Sequence, residues 1–219
     1  MSEPIPQLFV NEIFKSLQGE SSQAGRPCTF VRLRGCPLRC TWCDSEYAFY
    51  DGKAKTFAEI VESVRALGCN LVELTGGEPL AQRQAIPFLN YLVDAGFEVM
   101  LETSGALSIK EVPPPVRIIM DIKAPGSGEE SKNLWENFSS LKKNFDEVKI
   151  VIKDRADFDY AVHKCAEHSL LENFIVLLSP VAGELSYAQL ADWILESQLG
   201  FRFQVQLHKT VWPEKTRAF

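Results

Sequence analysis

Short apolar segments alternate with amphipathic segments along this chain, a pattern typical of α/β folds built on parallel strands. Several apolar segments contain almost no polar positions, as expected for strands that are buried on both faces. The segments that predict strands are residues 30–33, 71–74, 99–101, 118–122, 148–152, 174–178 and 203–207. Residues 8–17 predict an additional strand ahead of this series.

The amphipathic segments predict four helices. Capping boxes, in which a hydroxyl residue and a Glu or Gln three positions later satisfy backbone donors, mark the start of two of them. Glycine suits the end of a helix because it readily adopts a left-handed conformation. These signals are Thr56 with Glu59, Gly68, Gly96, and Ser186 with Gln189, and the remaining helix covers residues 157–168.

One connection breaks the alternation of strands and helices. Residues 108–116 contain three consecutive prolines, which lack the backbone donor that a helix interior needs. We therefore expect an incomplete TIM-like barrel of about six parallel strands with fewer helices than strands. No linker divides the sequence, so residues 1–219 are predicted to form one domain.

Charge and composition narrow the class of protein. The net charge of −6 argues against direct nucleic-acid binding, which needs clustered Lys and Arg. No apolar run approaches the ~18 residues of a membrane span, and residues 1–6 do not resemble a secretory signal. Six cysteines in 219 residues, three of them clustered, do not form the pattern of a secreted disulfide scaffold. We expect a cytoplasmic protein that does not bind membranes.

The most informative residues are Cys36, Cys40 and Cys43, which follow directly on the first core strand. Three thiolates are one short of the four that close an iron–sulfur cluster or a structural zinc site. A cluster held by three cysteines leaves one iron open to a ligand, which favours an enzyme. A structural zinc site would need a fourth ligand, and the three histidines are distant in sequence, so zinc is disfavoured without being excluded.

The CxxxCxxC spacing of these cysteines, followed one strand later by TGGEP at residues 75–79, resembles the radical S-adenosylmethionine superfamily. The resemblance implies that the thiolates hold a [4Fe-4S] cluster whose open iron binds S-adenosylmethionine. Reductive cleavage of that cofactor then supplies a 5′-deoxyadenosyl radical. The cofactors carry the radical chemistry, and no side chain is assigned a catalytic role beyond them.

Four further motifs narrow the resemblance to the 7-carboxy-7-deazaguanine synthases: LQGE at 17–20, CDS at 43–45, ETSG at 102–105 and DIK at 121–123. These enzymes convert 6-carboxy-5,6,7,8-tetrahydropterin to 7-carboxy-7-deazaguanine with loss of ammonia, on the route to queuosine and related deazapurines. The resemblance implies a requirement for Mg²⁺, a homodimer, and an electron donor such as flavodoxin or ferredoxin.

The resemblance also assigns individual residues. Ser45 is the expected Mg²⁺ ligand, since its hydroxyl oxygen suits a hard cation. Contacts to S-adenosylmethionine are expected from Trp42, Cys43, Asp44, Gly77, Glu78, Gly105, Asp121, Ile122 and Lys123. Contacts to the substrate are expected from Leu17, Gln18, Gly19, Glu20, Arg32, Thr103 and the terminal carboxylate of Phe219. The Arg32 guanidinium suits a carboxylate, and the Glu20 carboxylate suits an N–H edge.

Two alternatives stay open at this point. A glycyl-radical activating enzyme would share the cysteine loop, although the substrate motif at 17–20 argues against it. A non-catalytic iron–sulfur or zinc binding module would share the thiols but would not cleave S-adenosylmethionine.

Overall fold

One nine-stranded sheet runs through the computed structural model, which describes residues 5–213. Its strands are β1 (Gln7–Leu17), β2 (Pro27–Leu33), β3 (Lys53–Thr56), β4 (Leu71–Gly76), β5 (Glu98–Thr103), β6 (Arg117–Ile122), β7 (Glu147–Ile152), β8 (Ile175–Pro180) and β9 (Arg202–Phe203). Their order in the sheet is β3-β1-β2-β4-β5-β6-β7-β8-β9. Neighbours from β2 to β9 are parallel, whereas β1 pairs antiparallel with β2 and β3. Within the described residues β3 and β9 remain edge strands, which confirms an incomplete barrel.

The predicted helices form where their end signals occur. The α-helices are α1 (Phe57–Leu67), α2 (Ala85–Asp94), α3 (Arg155–Glu167), α4 (Leu170–Asn173), α5 (Tyr187–Ser197) and α6 (Leu207–Val211). Thr56 and Glu59 form the predicted capping box, and Ser186 accepts from the backbone N–H of Gln189. Gly68 ends α1 in the left-handed conformation with φ of 72°. In residues 5–213, no helix is long and apolar enough to cross a membrane.

Two connections between parallel strands lack an α-helix. Residues 108–116, with their three prolines, join β5 to β6 without one, as predicted. Short 3₁₀ turns occupy the connection from β6 to β7. The sheet therefore has fewer covering helices than strands.

The predicted strand over residues 203–207 is wrong beyond its first residue. The strand ends at Phe203, and α6 begins at Leu207, the last residue of the predicted strand. Gln204 and Gln206 turn inward and bond to side chains or backbone near the barrel mouth. The backbone N–H of Leu207 donates to the carbonyl of Gly19 at 2.9 Å. These contacts with distant residues, which no local pattern encodes, replace continued strand pairing.

The two faces of the parallel strands carry different residues because side chains alternate along a strand. The outward face packs against the helices in two apolar clusters, one around α1 and α2 and the other around α3 and α5. The inward face begins with a small apolar cluster that includes Phe30, Leu71, Met100 and Ile119. Two residues further along their strands, the inward positions become polar. This change places charged side chains inside the barrel, above an apolar base.

Candidate active site

A cavity of about 510 Å³ opens at the carboxyl ends of the parallel strands. Barrel enzymes assemble their active sites at this end, where the loops after different strands converge. The cavity is lined by the cysteine loop after β2, the glycine turn after β4, the ends of β5 and β6, and the start of α6. These segments are distant in the sequence and meet only through the sheet.

The three clustered cysteines lie together on the cavity wall. Cys36, Cys40 and Cys43 are partly buried free thiols. Burial raises the pKa of each thiol, and the nearby Lys123 ammonium opposes that shift. A cation beside the thiols favours the thiolate form that iron needs.

The arrangement of these thiols fits a cluster better than a single ion. Among residues 5–213, no three His, Cys, Asp or Glu side chains converge on the position of one metal ion. A structural zinc ion needs such convergence because its ligands all bind the same atom. In a [4Fe-4S] cluster each thiolate binds a different iron. The residues present therefore fit the cluster.

The glycine turn after β4 holds the cysteine loop in place. A Cβ on Gly77 would lie 2.5 Å from the carbonyl oxygen of Gly35 and 2.6 Å from the Cβ of Cys36. A Cβ on Gly76 would lie 2.5 Å from the carbonyl oxygen of Leu33. The turn also donates from the Glu78 N–H to the Gly35 carbonyl at 2.8 Å. The glycines thus allow close packing on the cysteine loop, whereas the sequence suggested close approach to a ligand.

Glu78 lies behind the cavity wall with its carboxylate fully hydrogen bonded. The carboxylate accepts from the Thr103 hydroxyl at 2.9 Å and from the Ser104 N–H at 2.7 Å. It also accepts from the Leu80 N–H at 2.9 Å. Glu78 is completely buried, so its side chain joins the glycine turn to the end of β5.

We call Gln18, Glu20, Glu73, Glu102 and Lys149 the polar floor. The Lys149 ammonium lies 2.6 Å from Glu20 and also contacts Glu102. Glu73 hydrogen bonds with Gln18 and with Glu102. Burial has the largest effect on Glu73 and raises its pKa well above the usual value, and the adjacent Glu102 carboxylate raises it further. Burial opposes the charge on Lys149, but Glu102 and Glu20 more than offset it and raise the pKa of Lys149. Glu73 therefore keeps its proton to a higher pH than an exposed glutamate, whereas the lowered pKa of Glu102 and the raised pKa of Lys149 favour their charged forms.

The start of α6 closes one side of the polar floor. Gln206 donates from its amide to the second Glu20 oxygen at 2.6 Å. A Cβ on Gly19 would clash with Nδ1 of His208, so a larger residue at this position would displace the imidazole. Lys209 donates to Asp44 at 2.7 Å, which links α6 to the cysteine loop. The described end of the chain thus joins the predicted substrate turn to the predicted cluster site.

Arg32 lines the cavity and already has an acidic partner. Its Nε lies 2.9 Å from Glu12, which also accepts from the Tyr47 hydroxyl at 2.8 Å. The guanidinium lies over the Phe14 ring, 5.9 Å from its centroid. Glu12 therefore offsets part of the cost of burying a cation on a core strand.

Two polar pairs flank the cysteine loop. Ser45 donates from its hydroxyl to Asp44 at 2.9 Å, so two oxygen-bearing groups that suit Mg²⁺ lie together. On β6, Lys123 lies 2.8 Å from one Asp121 carboxylate oxygen. The other oxygen is buried and has no hydrogen-bond partner within residues 5–213. It is an acceptor available to a bound ligand.

Comparison with known proteins identifies the family. The Radical SAM superfamily model matches residues 30–127. The 7-carboxy-7-deazaguanine synthase of Koribacter versatilis is 43% identical over 95% of this chain and 99% of its own length. The chain belongs to the 7-carboxy-7-deazaguanine synthase family. The synthase of Chlorobaculum tepidum is also 43% identical, over the full length of both chains.

A solved structure with low sequence identity has the same fold. The crystal structure of QueE from Escherichia coli matches with a TM-score of 0.74 over 92% of this chain and 95% of that chain, at 22% identity. Together with the superfamily match, these relatives confirm the resemblance and establish a radical S-adenosylmethionine enzyme with a [4Fe-4S] cluster. They favour a synthase over a glycyl-radical activating enzyme and over a non-catalytic metal-binding module.

Most residues predicted from the synthase resemblance line one cavity. Those that do are Leu17, Gln18, Gly19, Glu20, Arg32, Cys36, Cys40, Trp42, Cys43, Asp44, Ser45, Gly77, Thr103, Asp121 and Lys123. Glu78, Gly105 and Ile122 do not line it, and Ile122 packs in the apolar cluster around α3. Phe219 lies outside the described residues. The contacts themselves stay predictions.

Sequence reasoning assigned no role to three floor residues, Glu73, Glu102 and Lys149. A signal for them does exist: each is a charged residue at an inward position of an otherwise apolar strand. Fully buried charges are rare unless they are paired or functional. That signal identifies candidates but not the partners that they find in the fold.

Proposed function

We propose that this enzyme rearranges 6-carboxy-5,6,7,8-tetrahydropterin to 7-carboxy-7-deazaguanine with release of ammonia. One observation carries the proposal: the cysteine loop and the polar floor face the same cavity of about 510 Å³. This arrangement suits a substrate that must lie beside the radical source while polar groups orient it. The relatives that are 43% identical to this chain are named 7-carboxy-7-deazaguanine synthases, which supports the same reaction.

Residues of the chain would hold the cofactors at the cysteine side of the cavity. Cys36, Cys40 and Cys43 would bind the [4Fe-4S] cluster. When bound, the reduced cluster and S-adenosylmethionine supply the radical that removes hydrogen from the substrate. Contacts to S-adenosylmethionine would come from the wall residues around the cysteines, namely Trp42, Asp44, Gly77, Asp121 and Lys123. Ser45 would supply an oxygen to Mg²⁺, with Asp44 next to it.

The substrate would be oriented from two directions. The carboxylate oxygens of Glu20 are acceptors, which suits the N–H groups of the aminopyrimidine edge. Arg32 is a cation with its planar fork on the cavity wall, which suits the substrate carboxylate. Leu17, Gln18, Gly19 and Thr103 would complete the contacts. Binding the two ends of the substrate fixes which carbon faces the cofactors.

We further propose a single domain, a homodimer, a flavodoxin or ferredoxin as electron donor, and a cytoplasmic location. The family resemblance supports the dimer and the donor. The six free cysteines support a reducing compartment. Sedimentation of the purified enzyme tests the dimer directly.

The decisive test is anaerobic turnover with reductant, Mg²⁺, S-adenosylmethionine and the carboxytetrahydropterin. We expect a product with the mass of 7-carboxy-7-deazaguanine. Cys40→Ala should abolish both product and cleavage of S-adenosylmethionine, because one cluster ligand is lost. Cys69→Ala is the matched control, since Cys69 is buried away from the cavity.

A second variant separates substrate binding from cofactor chemistry. Glu20→Ala should impair pterin turnover while the cluster and the affinity for S-adenosylmethionine are retained. Cofactor cleavage without the deazaguanine product in the unmodified enzyme would contradict the proposed reaction. A colourless protein after reconstitution with iron and sulfide would contradict the cluster as well.

A further inference from the structure

A lysine on β7 joins the predicted substrate carboxylate to a carboxylate on β5. Lys149 is 6% exposed, and its ammonium lies 2.6 Å from Oε2 of Glu20 while also contacting Glu102. The other Glu20 oxygen accepts from Gln206. The backbone N–H of Glu20 donates to the Gln18 side chain at 3.0 Å. Glu20 is therefore held from three directions, one of them by the Lys149 ammonium.

We propose that Lys149 is a positioning residue for substrate binding and that it acts through Glu20. This inference rests on the proposed function and deepens it. Lys149 holds the Glu20 carboxylate turned toward the cavity, ready to accept from the N–H groups of the aminopyrimidine edge. The orientation of the carboxylate that binds the substrate would then depend on the position of the Lys149 ammonium.

The charge balance of the polar floor supports this role. Two carboxylates, Glu20 and Glu102, face the one ammonium of Lys149, and the raised pKa of Glu73 beside Glu102 favours its protonated form. The floor consequently carries a net charge of about −1 when the carboxylates and the ammonium are ionised. A net negative floor attracts a ligand edge made of N–H donors and repels a carboxylate. The substrate carboxylate is therefore directed toward Arg32, on the wall.

Fold stability alone gives little reason for this buried cation. Replacing a buried ion pair by apolar residues of similar size is often neutral or stabilising. The neighbouring residues on β7, Val148 and Ile150, pack outward in an apolar cluster and do not need Lys149. The side chain instead extends across the barrel to a turn that lines the cavity.

A double-mutant cycle tests the proposal on the reconstituted enzyme. Lys149→Met keeps an unbranched side chain that is one atom shorter and removes the charge. We expect it to raise the KM for the pterin about 10-fold or more, with kcat changed by no more than about 3-fold, because it weakens ground-state orientation. In a Glu20→Gln background the same change should alter KM less than about 2-fold, since the interaction is already absent. Lys149→Arg should restore most of the affinity.

The controls distinguish positioning from a structural role. Lys164→Met removes an ammonium that pairs with Glu167 on α3, remote from the cavity. It should leave the KM for the pterin unchanged in both the unmodified and the Glu20→Gln backgrounds. The Kd for S-adenosylmethionine should also stay constant in all Lys149 variants. A KM increase of about 10-fold in both backgrounds would show that Lys149 acts independently of Glu20 and would overturn the proposal.

Two further results keep the test informative. If Lys149→Met does not fold, Lys149→Gln takes its place in the cycle with the same expected coupling to Glu20→Gln. If the unmodified enzyme binds and converts no pterin, the proposed function fails. If it does convert the pterin and the cycle is additive, only the role of Lys149 fails.

Discussion

The cysteine loop takes its three thiols from residues 36–43, whereas the polar floor takes its charges from β4, β5, β7 and the turn after β1. Both face the same cavity. The three thiols of the loop are free and partly exposed to the cavity. Most of the floor is buried, and the Lys149 ammonium on β7 pairs with a carboxylate on β5 and with another in the turn after β1. Cofactor chemistry therefore depends on local spacing, and substrate orientation depends on the packing of the sheet.

The first prediction tests whether the glycine turn positions the cysteine loop. Gly77→Ala places a methyl group 2.5 Å from the Gly35 carbonyl oxygen and 2.6 Å from the Cys36 Cβ, so the cysteine loop must move. We expect iron content after reconstitution to fall about 10-fold, since overpacking costs about 1–3 kcal/mol and can be relieved by displacing the loop. Iron analysis and the absorption spectrum measure this.

A matched glycine gives the control. Gly200→Ala adds a methyl group with no atom within 4 Å and should leave iron content unchanged. Equal iron content in the two variants would show that the glycine turn does not position the cysteine loop.

The second prediction tests how much the buried hydrogen bonds of Glu78 stabilise the fold. Glu78→Ala leaves the Thr103 hydroxyl and the Ser104 and Leu80 N–H groups without their buried acceptor. We expect the free energy of unfolding to drop by about 3 kcal/mol or more, because each buried donor left unsatisfied is costly. Urea denaturation measures the change. Glu62→Ala, at an exposed position of α1, should alter it by less than about 0.5 kcal/mol.

The third prediction sharpens the description of the floor. Glu73 faces Gln18, Glu20 and Glu102, and its pKa is raised above the value of the unfolded chain. The folded state therefore keeps a proton that the unfolded state loses above about pH 4.3, so this residue destabilises the fold increasingly as pH rises. Glu73→Gln cannot titrate and retains a hydrogen-bonding side chain of the same size.

We expect the stability of Glu73→Gln relative to the unmodified protein to increase from pH 5 to pH 8. Denaturation curves at both pH values measure it. A constant difference would mean that Glu73 is ionised in the fold.

The smallest expected effect lies outside both regions. Thr56→Ala removes the side-chain acceptor of the capping box at the start of α1 and should cost about 1 kcal/mol of unfolding free energy. Iron content and KM should not change. A change in either would show that α1 transmits strain to the cavity. Ser63→Ala, within the same helix, should have a smaller effect on stability.

Much of the fold could be predicted because its signals are local. The periodicity of α1, with its capping box and Gly68, appears in consecutive residues and is what the structure contains. The three prolines between β5 and β6 correctly predicted a connection without a helix. The predicted strand over residues 203–207 was wrong. The alternation of these residues suits a strand, but Gln204 and Gln206 hydrogen bond inward to groups that are distant in the sequence.

The sequence by itself determined the cysteine spacing, the glycine turn, most of the strand and helix positions, and through its motifs the family. Each of these depends on residues close together in the chain, where sterics and backbone bonding act. Only the tertiary structure decided that Gly77 packs on Cys36, that Glu78 lies behind the wall, and that Lys149 meets Glu20. Such contacts join strands that are far apart in sequence, and the partner of a buried charge is fixed by the register of the sheet.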